Sequence, residues 1–325
     1  RRVSEECFVS RGMSGPSLTR RVTMRRAADV LKLLLTLSAV SIAFAATFAR
    51  AQTTKLQPYG DASKQHPGGW EFIAGQSDEF TGSAIDRTKW NIDPEDWGVW
   101  SWAPENVSQR EGSLHLEIKQ KTHQRGQQEL YYVSGMAKNE KTITYGYFEA
   151  RVKGCSRYPG ACPAFWLYSR GADNRYQASD GETVRYAEID VIELQQSEYD
   201  FETKKHFPVT HIDCNLHATL IRNGEQFWVR PNAYPELCKT AYDTPWDPRD
   251  DYHVYAVHNT PAEIVWYIDG KEVGRKPNLY WHLPMHVTLS LGLRYPFSAY
   301  TKEGQNVPVP EQTTTDGFPT TMSVD

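Results

Sequence analysis

The sequence lacks a segment with a convincing 3.6-residue apolar period, and it contains neither internal repeats nor low-complexity tracts. These absences argue against a helical bundle and against a repeat array. Cysteine is sparse, and the four cysteines after residue 51 form no C-x-x-C pair, which argues against a cysteine zinc site. A surplus of positive charge is also missing, with 36 Lys and Arg against 40 Asp and Glu. The chain therefore has no general attraction to nucleic acid.

The one long apolar run, residues 31–46, follows a basic pair and precedes an A-x-A site. This layout predicts that residues 1–51 are upstream sequence plus a secretory signal peptide, which begins at about Met24 and is cleaved before Gln52. A membrane anchor is the alternative, but Lys32 interrupts a run that is short for a span of about 20 residues. We expect a secreted, periplasmic or cell-surface protein that is monomeric and free of the membrane.

Loss of this segment would change the formal charge from −4 to about −10, because it carries far more basic than acidic residues. An acidic exported protein can hold an anionic ligand only through a few locally placed Arg or Lys side chains.

Residues 52–69 are polar and without a period, which predicts a loose leader before a domain at 70–325. In that domain, short alternating segments rich in β-branched and aromatic residues recur between turn residues, including SLHLEIK, YGYFEARVKG, NLHATLI, YHVYAVHN and HVTLSLGL. Such a series predicts an all-β fold, an antiparallel β-sandwich. Asp269 and Gly270 predict a hairpin with a type I′ turn.

The stretch AEIDVIEL, residues 187–194, breaks strand parity. Side chains alternate along a strand, so Glu188 and Asp190 share a face and Glu193 points to the other face. A β-bulge at Val191 and Ile192 would return Glu193 to the first face. Two carboxyl groups about 5 to 5.5 Å apart there would have the geometry of a retaining glycoside hydrolase. The alternative is three acids on a solvated strand face.

Sequence blocks before and after this stretch decide between the two interpretations. The chain resembles glycoside hydrolase family 16, and within it the κ-carrageenases, over nearly all of residues 70–325. The resemblance is carried by WGVWSWAPEN (97–106), YYVSGMAK (131–138), YGYFEARVKG (145–154), PAFWLYS (163–169), EIDVIEL (188–194), DPRDDYHVY (247–255), NLYWH (278–282), LSLGLR (289–294) and GFPTTMSVD (317–325).

The resemblance implies a β jelly roll with a concave cleft for a sulfated red-algal galactan, which is cleaved inside the chain at β-1,4 bonds with retention. It assigns Glu188 as nucleophile, Asp190 as assisting acid and Glu193 as acid/base, and it implies no cofactor for catalysis. It places Arg294 at a galactose sulfate, which suits a planar guanidinium; a surface ion pair is the alternative.

The resemblance also implies further substrate contacts, for each of which a structural role is the alternative. Besides Arg294, the predicted substrate-binding residues are Trp100, Trp102, Asn106, Trp166, His217, Trp228 and Arg230. The histidines and acid of HIDCNLH (211–217) match no common zinc spacing. A structural Ca²⁺ on the convex face, near Gly112 and Asp325, is common among relatives.

Export makes disulfides plausible, and four cysteines allow three connectivities. Short loops favour the local pairs Cys155 with Cys162 and Cys214 with Cys238. The last strand of the family normally continues past Asp325, which predicts that the domain is truncated there. The family resemblance leaves other functions open: hydrolysis of furcellaran, a β/κ hybrid, agarase or porphyranase activity, or a galactan-binding lectin without catalysis.

Overall fold

The computed structural model describes residues 57–171, 175–196, 199–200, 203–302 and 304–325. The predicted signal peptide lies outside these residues. Within them are two short helices, α1 (Asp61–Gln65) and α2 (Pro235–Cys238), and the 3₁₀ turns Ala74–Gln76, Pro104–Asn106 and Pro310–Gln312. No helix in these ranges is long and apolar enough to cross a membrane.

Strands make up nearly all the remaining regular structure. In chain order they are β1 (Trp90–Asn91), β2 (Ser101–Trp102), β3 (Val107–Arg110), β4 (Ser113–Arg125), β5 (Gln128–Ser134), β6 (Met136–Ile143), β7 (Gly146–Lys153), β8 (Ala161–Tyr168), β9 (Tyr176–Gln177), β10 (Thr183–Glu193), β11 (Tyr199–Asp200), β12 (Lys205–His206), β13 (His211–Asp213), β14 (Leu216–Arg222), β15 (Glu225–Val229), β16 (Ala241–Asp243), β17 (His253–Asn259), β18 (Glu263–Ile268), β19 (Lys271–Pro277), β20 (Met285–Leu293), β21 (Ser298–Tyr300), β22 (Asn306–Pro308) and β23 (Thr320–Val324).

Two large sheets contain most of these strands. The first, which we call the cleft sheet, runs β1-β6-β20-β8-β10-β13-β16, with β14 and β9 also paired to β10 and β15 paired to β14. The second, the outer sheet, runs β19-β18-β17-β7-β23-β4-β5-β2, with β3 on β4. Pairing is antiparallel except between β2 and β5. Neighbours in space are often distant in sequence, as in a jelly roll.

The core lies between the two sheets. Leu114, Leu116 and Ile118 on β4 alternate with polar residues and are fully buried, so one face of the outer sheet is apolar. They belong to one buried cluster with Ile189 and Leu291 of the cleft sheet. Burying both apolar faces against each other stabilises the sandwich, at about 25 cal/mol per Å² of apolar surface. The predicted antiparallel sandwich is confirmed.

The predicted hairpin at Asp269 and Gly270 is also confirmed. These residues join β18 to β19, and both have positive φ, 47° and 72°. A type I′ turn requires positive φ at both central positions, which an Asp-Gly pair tolerates.

The loose leader predicted at 52–69 differs from the structure where the chain is described. Helix α1 packs on the outside of the outer sheet, where Ala62 is fully buried against Ala256, Val265 and Tyr267. The amide of Asp61 donates to the carbonyl of Gly270 over 2.7 Å. The polar sequence did not predict that this segment packs on the sheet, because a single small residue, Ala62, supplies the buried contact.

The two predicted disulfides are not formed: Cys155, Cys162, Cys214 and Cys238 are free, buried thiols. The Cys155 sulfur lies 3.7 Å from the carbonyl oxygen of Arg157. The Cys162 sulfur lies 3.9 Å from Glu193 Oε1. Short loops therefore failed as a guide, because neighbouring elements turn the two thiols towards different groups.

Candidate active site

Strand β10 carries the three acids, and its register explains how they share a face. Asp190 pairs with Trp166 of β8 and Ile192 with Phe165, so Val191 is an extra residue. Val191 and Ile192 are both buried in the core, and the alternation resumes with Glu193 opposite Ala164. The predicted bulge is confirmed, and Glu188, Asp190 and Glu193 line one cleft.

A second bulge lies at the other end of β10, on its β14 side. The register shifts between Val184 and Tyr186, so that Val184 faces the core and Tyr186 faces the cleft. Arg185, the extra residue, also lines the cleft. A bulge changes the face to which the following side chains point. The position of all three acids on the cleft face therefore depends on this irregularity too.

The cleft has a volume of about 1490 Å³ and crosses the concave face of the cleft sheet. Its floor is contributed by strands β20, β8, β10, β14 and β15. Aromatic rings are prominent along it, and Trp166 and Tyr168 stack with centroids 4.6 Å apart. Aromatic faces and polar groups in an elongated cleft suit a sugar polymer, whose rings have apolar faces and hydroxyl edges.

Glu188 is held by Tyr186 and His217. The Tyr186 hydroxyl donates to Glu188 Oε2. His217 Nε2 lies 3.9 Å from Glu188 Oε1 on the neighbouring strand, where the two residues are register partners. One oxygen of Glu188 is thus oriented by a neutral donor, which leaves the other beside a titratable group.

Asp190 is the most deeply buried of the three acids. Its side chain is 4% exposed, and Oδ2 lies 3.3 Å from His217 Nε2. Its backbone carbonyl accepts a hydrogen bond from Trp266 Nε1 over 2.9 Å. Burial, and then the charges of Glu193 and Glu188, raise the pKa of Asp190 well above its usual range. Asp190 therefore keeps its proton to a higher pH than an exposed aspartate does.

His217 balances this negative cluster. Burial lowers its pKa, but the charge of Glu188 and the hydrogen bond and charge of Asp190 outweigh that and raise it to about 9. The imidazole is therefore cationic at neutral pH. Glu188, Asp190 and His217 also have the composition of a metal site, with ligand atoms within 4.8 Å of one another. Their contacts with one another account for that proximity without an ion.

Glu193 has both oxygens engaged. Gln196 Nε2 donates to Oε2 over 2.8 Å, and Arg294 Nη2 donates to Oε1. Arg294 Nε also donates to Gln196 Oε1. Three side chains thus form a closed ring at the edge of the cleft.

The predicted substrate contacts divide into two groups. Five line the cleft: Trp100, Trp166, His217, Trp228 and Arg294. Trp228 is 40% exposed there, as a stacking platform would be, whereas Trp100 is 2% exposed.

Trp102, Asn106 and Arg230 do not line the cleft, so their predicted contacts are not supported. Asn106 is buried, and its amide donates to the carbonyls of Glu117 and Val133, which ties β4 to β5. The Arg230 guanidinium lies 4.2 Å from the centroid of the Trp228 ring and reaches the site only through that ring.

Sequence reasoning missed several cleft residues, among them Trp97, Tyr168, Tyr186, Gln196 and Tyr300. Parity was an available signal for two of them. Tyr186 precedes Glu188 by two positions, and Tyr168 follows Trp166 by two positions, so each shares the face of a predicted cleft residue. Trp97 and Gln196 lie outside the strands, and Tyr300 ends the three-residue strand β21, so no long alternation marks them.

The two histidines of HIDCNLH face different groups. His211 Nδ1 lies 2.7 Å from Asp243 on β16, and its Nε2 lies 3.9 Å from Asp213. His217 instead faces the acids of β10.

A two-sheet jelly roll with a carboxyl triad on the concave sheet defines the class of the β-sandwich glycoside hydrolases. The chain belongs to glycoside hydrolase family 16: residues 70–325 match the family model described as "Beta-porphyranase A-D, GH16 domain".

Known relatives share both sequence and fold. The chain is 43% identical over 267 residues to the κ-carrageenase of Pseudoalteromonas carrageenovora, covering 79% of this chain and 63% of that protein. The chain thus spans less than two thirds of this curated relative. The crystal structure of that enzyme with a κ-carrageenan oligotetrasaccharide superposes with a TM-score of 0.70 at 42% identity, covering 79% of this chain and 94% of the other. The κ-carrageenase of Zobellia galactanivorans gives 0.73 at 35% identity, with coverages of 83% and 97%.

Proposed function

We propose that this protein is an endo-acting, retaining glycoside hydrolase that cleaves β-1,4 bonds of a sulfated galactan, with κ-carrageenan as the main substrate. The observation that carries the proposal is the bulged β10 strand, which aligns three acids in an aromatic cleft. The similarity to κ-carrageenases supports the choice of polymer.

In the first half-reaction, Glu188 attacks the anomeric carbon while Glu193 gives its proton to the leaving oxygen. The C–O bond breaks as the Glu188–carbon bond forms. In the second half-reaction, Glu193 takes a proton from water, and the hydroxide displaces Glu188 with a second inversion. Two carboxyl groups and one water molecule balance the reaction, so we propose that it needs no cofactor.

Asp190 and His217 support this exchange without contacting the new bond. Asp190 holds a proton between the two glutamates, and cationic His217 offsets the charge that develops when Glu188 leaves the sugar.

The test is the substitution of each acid by its isosteric amide, assayed by new reducing ends on purified κ-carrageenan. Glu188→Gln and Glu193→Gln should each lower turnover by at least about 10³-fold while leaving the fold intact. Glu111→Gln, at an exposed turn of the outer sheet, is the matched control and should keep full activity. Full activity in either cleft variant contradicts the assignment. Tight binding by the parent protein without cleavage would instead indicate a lectin.

The preferred sulfation pattern is a second part of the proposal. The Arg294 side chain is 30% exposed at the cleft edge, which supports our proposal that it binds a sulfate ester. A β/κ hybrid such as furcellaran is the alternative substrate, because one such arginine reads one sulfate. Agarose and porphyran lack support from the κ-carrageenase similarity, although β-porphyranase B of Zobellia galactanivorans is 28% identical over 240 residues. Product analysis on a panel of these polymers would show which of them the protein cleaves fastest.

Export remains our proposal, supported by the signal-peptide layout of the sequence, and we propose in addition that the exported protein is a monomer. N-terminal sequencing of the secreted protein should find Gln52 first. A structural Ca²⁺ on the convex face near Gly112 and Asp325 stays part of the proposal, and it would have to share the Asp325 carboxylate with Arg151 or use backbone carbonyls.

A further inference from the structure

Glu193 is the acid/base that the proposed reaction must use. In the closed ring with Gln196 and Arg294, both of its carboxylate oxygens accept hydrogen bonds. Gln196 covers one oxygen of Glu193 and Arg294 the other, and Arg294 and Gln196 are bonded to each other. The Glu193 side chain is only 10% exposed. A general acid needs an oxygen free to carry a proton to the glycosidic oxygen. With the ring closed, neither oxygen is free.

We propose that this ring is a latch that the sulfate ester of the substrate opens, which makes sulfate a requirement for turnover and not only for binding. The inference rests on the proposed function. Sulfate and carboxylate compete for the same planar fork of donors, and a guanidinium can meet either with two hydrogen bonds. When a sulfate takes Arg294, Glu193 Oε1 is released.

The position of Arg294 suits an exchange of partners. Among the described residues, its Nη1 donates to the carbonyl of Leu293 over 2.9 Å, which is a local contact that tolerates rotation of the side chain. Gly292 provides the room: a Cβ at this position would lie 3.2 Å from Arg294 Nη1 and 3.2 Å from the Trp100 ring. The guanidinium therefore rests over bare backbone beside the cleft, with its outer edge reachable by substrate.

Gln196 is a positioning residue in this scheme. It bonds to both Glu193 and Arg294, so it holds the two at the distance that closes the ring. Once Arg294 has moved, Gln196 still donates to Glu193 Oε2 and leaves Oε1 directed at the leaving oxygen. A galactan without sulfate has no anion to compete with Glu193 for Arg294. Such a polymer therefore binds to an enzyme in which both oxygens of the acid/base stay bonded.

The test compares kcat and KM on κ-carrageenan and on the same polymer after chemical desulfation. Opening the latch by mutation removes a charged hydrogen bond that otherwise has to break, so it should raise kcat on the desulfated polymer by at least about tenfold. Arg294→Met keeps the length of the side chain and removes its donors. It should gain on the desulfated polymer and lose on κ-carrageenan. Gln196→Ala should gain by a smaller factor on the desulfated polymer while KM for κ-carrageenan changes little.

The control is Arg275→Gln, which removes an arginine paired with Glu263 and Glu272 on the outer sheet and should leave both polymers unaffected. Melting temperatures show whether each variant is folded. If Arg294→Met does not fold, Gln196→Ala still tests the latch. A parent enzyme that cleaves κ-carrageenan, with no gain on desulfated polymer in either variant, overturns the latch alone. A parent enzyme inactive on κ-carrageenan overturns the proposed function, and the latch with it.

Discussion

At the scale of single residues, His217 connects the chemistry of the cleft to the stability of the fold. Its ring faces Glu188 and Asp190, and these groups raise its pKa to about 9 from an ordinary value of 6.5. The folded protein therefore holds a proton that the unfolded chain releases between these two pH values. Stability from this group is fully present below pH 6.5 and is lost as the pH rises through 9.

We expect His217→Gln to be less stable than the parent protein at pH 6, by about 2 kcal/mol. One pKa unit corresponds to about 1.4 kcal/mol, and we discount the full shift because the side chain retains 23% exposure. The difference should shrink steadily between pH 6.5 and 9. Urea unfolding at pH 6, 7, 8 and 9 measures it. His286→Gln, at a histidine whose pKa is lowered by burial, is the control and should not lose stability in this window. A difference that grows with pH would reverse the assigned sign.

At the scale of elements, the β10 strand shows what a sequence can and cannot predict. The spacing of Glu188, Asp190 and Glu193 made a bulge necessary if all three acids act together, and the bulge is there. The second bulge, at Arg185, left no such mark. Its existence depends on Val184 facing the core and Tyr186 facing the cleft, which only the pairing with β14 shows.

The same limit explains the other outcomes. The hairpin at Asp269 and Gly270 is local chemistry, so two residues predict it. A disulfide depends on which way two thiols point, and the distance between Cys155 and Cys162 in the chain says nothing about that. Asn106 likewise has a residue type common in sugar sites, but its amide is used by the carbonyls of two neighbouring strands.

Deleting Val191 tests the bulge as an element. Without it the motif becomes E-x-D-x-E, which keeps Glu193 on the cleft face and opposite Ala164 by simple alternation. We expect a folded enzyme, less stable by about 1.5–3 kcal/mol for the lost buried valine, with activity well above that of Glu193→Gln. Deleting Ile189 is the counterpart and should abolish folding or activity, because it turns Asp190 towards the core. Thermal melts and reducing-end assays measure both. Equal activity in the two deletions would mean that parity does not position the acids.

At the scale of the whole molecule, the net charge of the chain has the same sign as that of the polymer we propose as its substrate. The chain is acidic overall, with a formal charge of −4. The lining of the cleft nevertheless includes Arg170, Arg185 and Arg294 beside the three acids of β10. Because the nearest charges dominate the local field, these single arginines, and not the net charge, would hold the sulfate groups of a polyanion.

The two sheets are also joined beneath the active site. Trp266 of β18 is fully buried in the core between the sheets, and its Nε1 donates to the carbonyl of Asp190 at the start of the bulge. A buried carbonyl that loses its only indole donor costs about 1–3 kcal/mol. The packing of the outer sheet thus fixes the backbone from which the middle acid projects.

We therefore expect Trp266→Phe to lower both the melting temperature and kcat. A loss of 1–3 kcal/mol corresponds to roughly 2–4 °C per kcal/mol in a domain of this size. Turnover should fall more than affinity, because Asp190 moves while the aromatic walls of the cleft stay in place. Trp90→Phe is the matched control. Trp90 lies on edge strand β1, is also buried, and donates one hydrogen bond to Asp78 over 3.2 Å. It should lose comparable stability and keep its kcat. Equal effects of the two substitutions on kcat would show that the outer sheet supports the acids only through general stability.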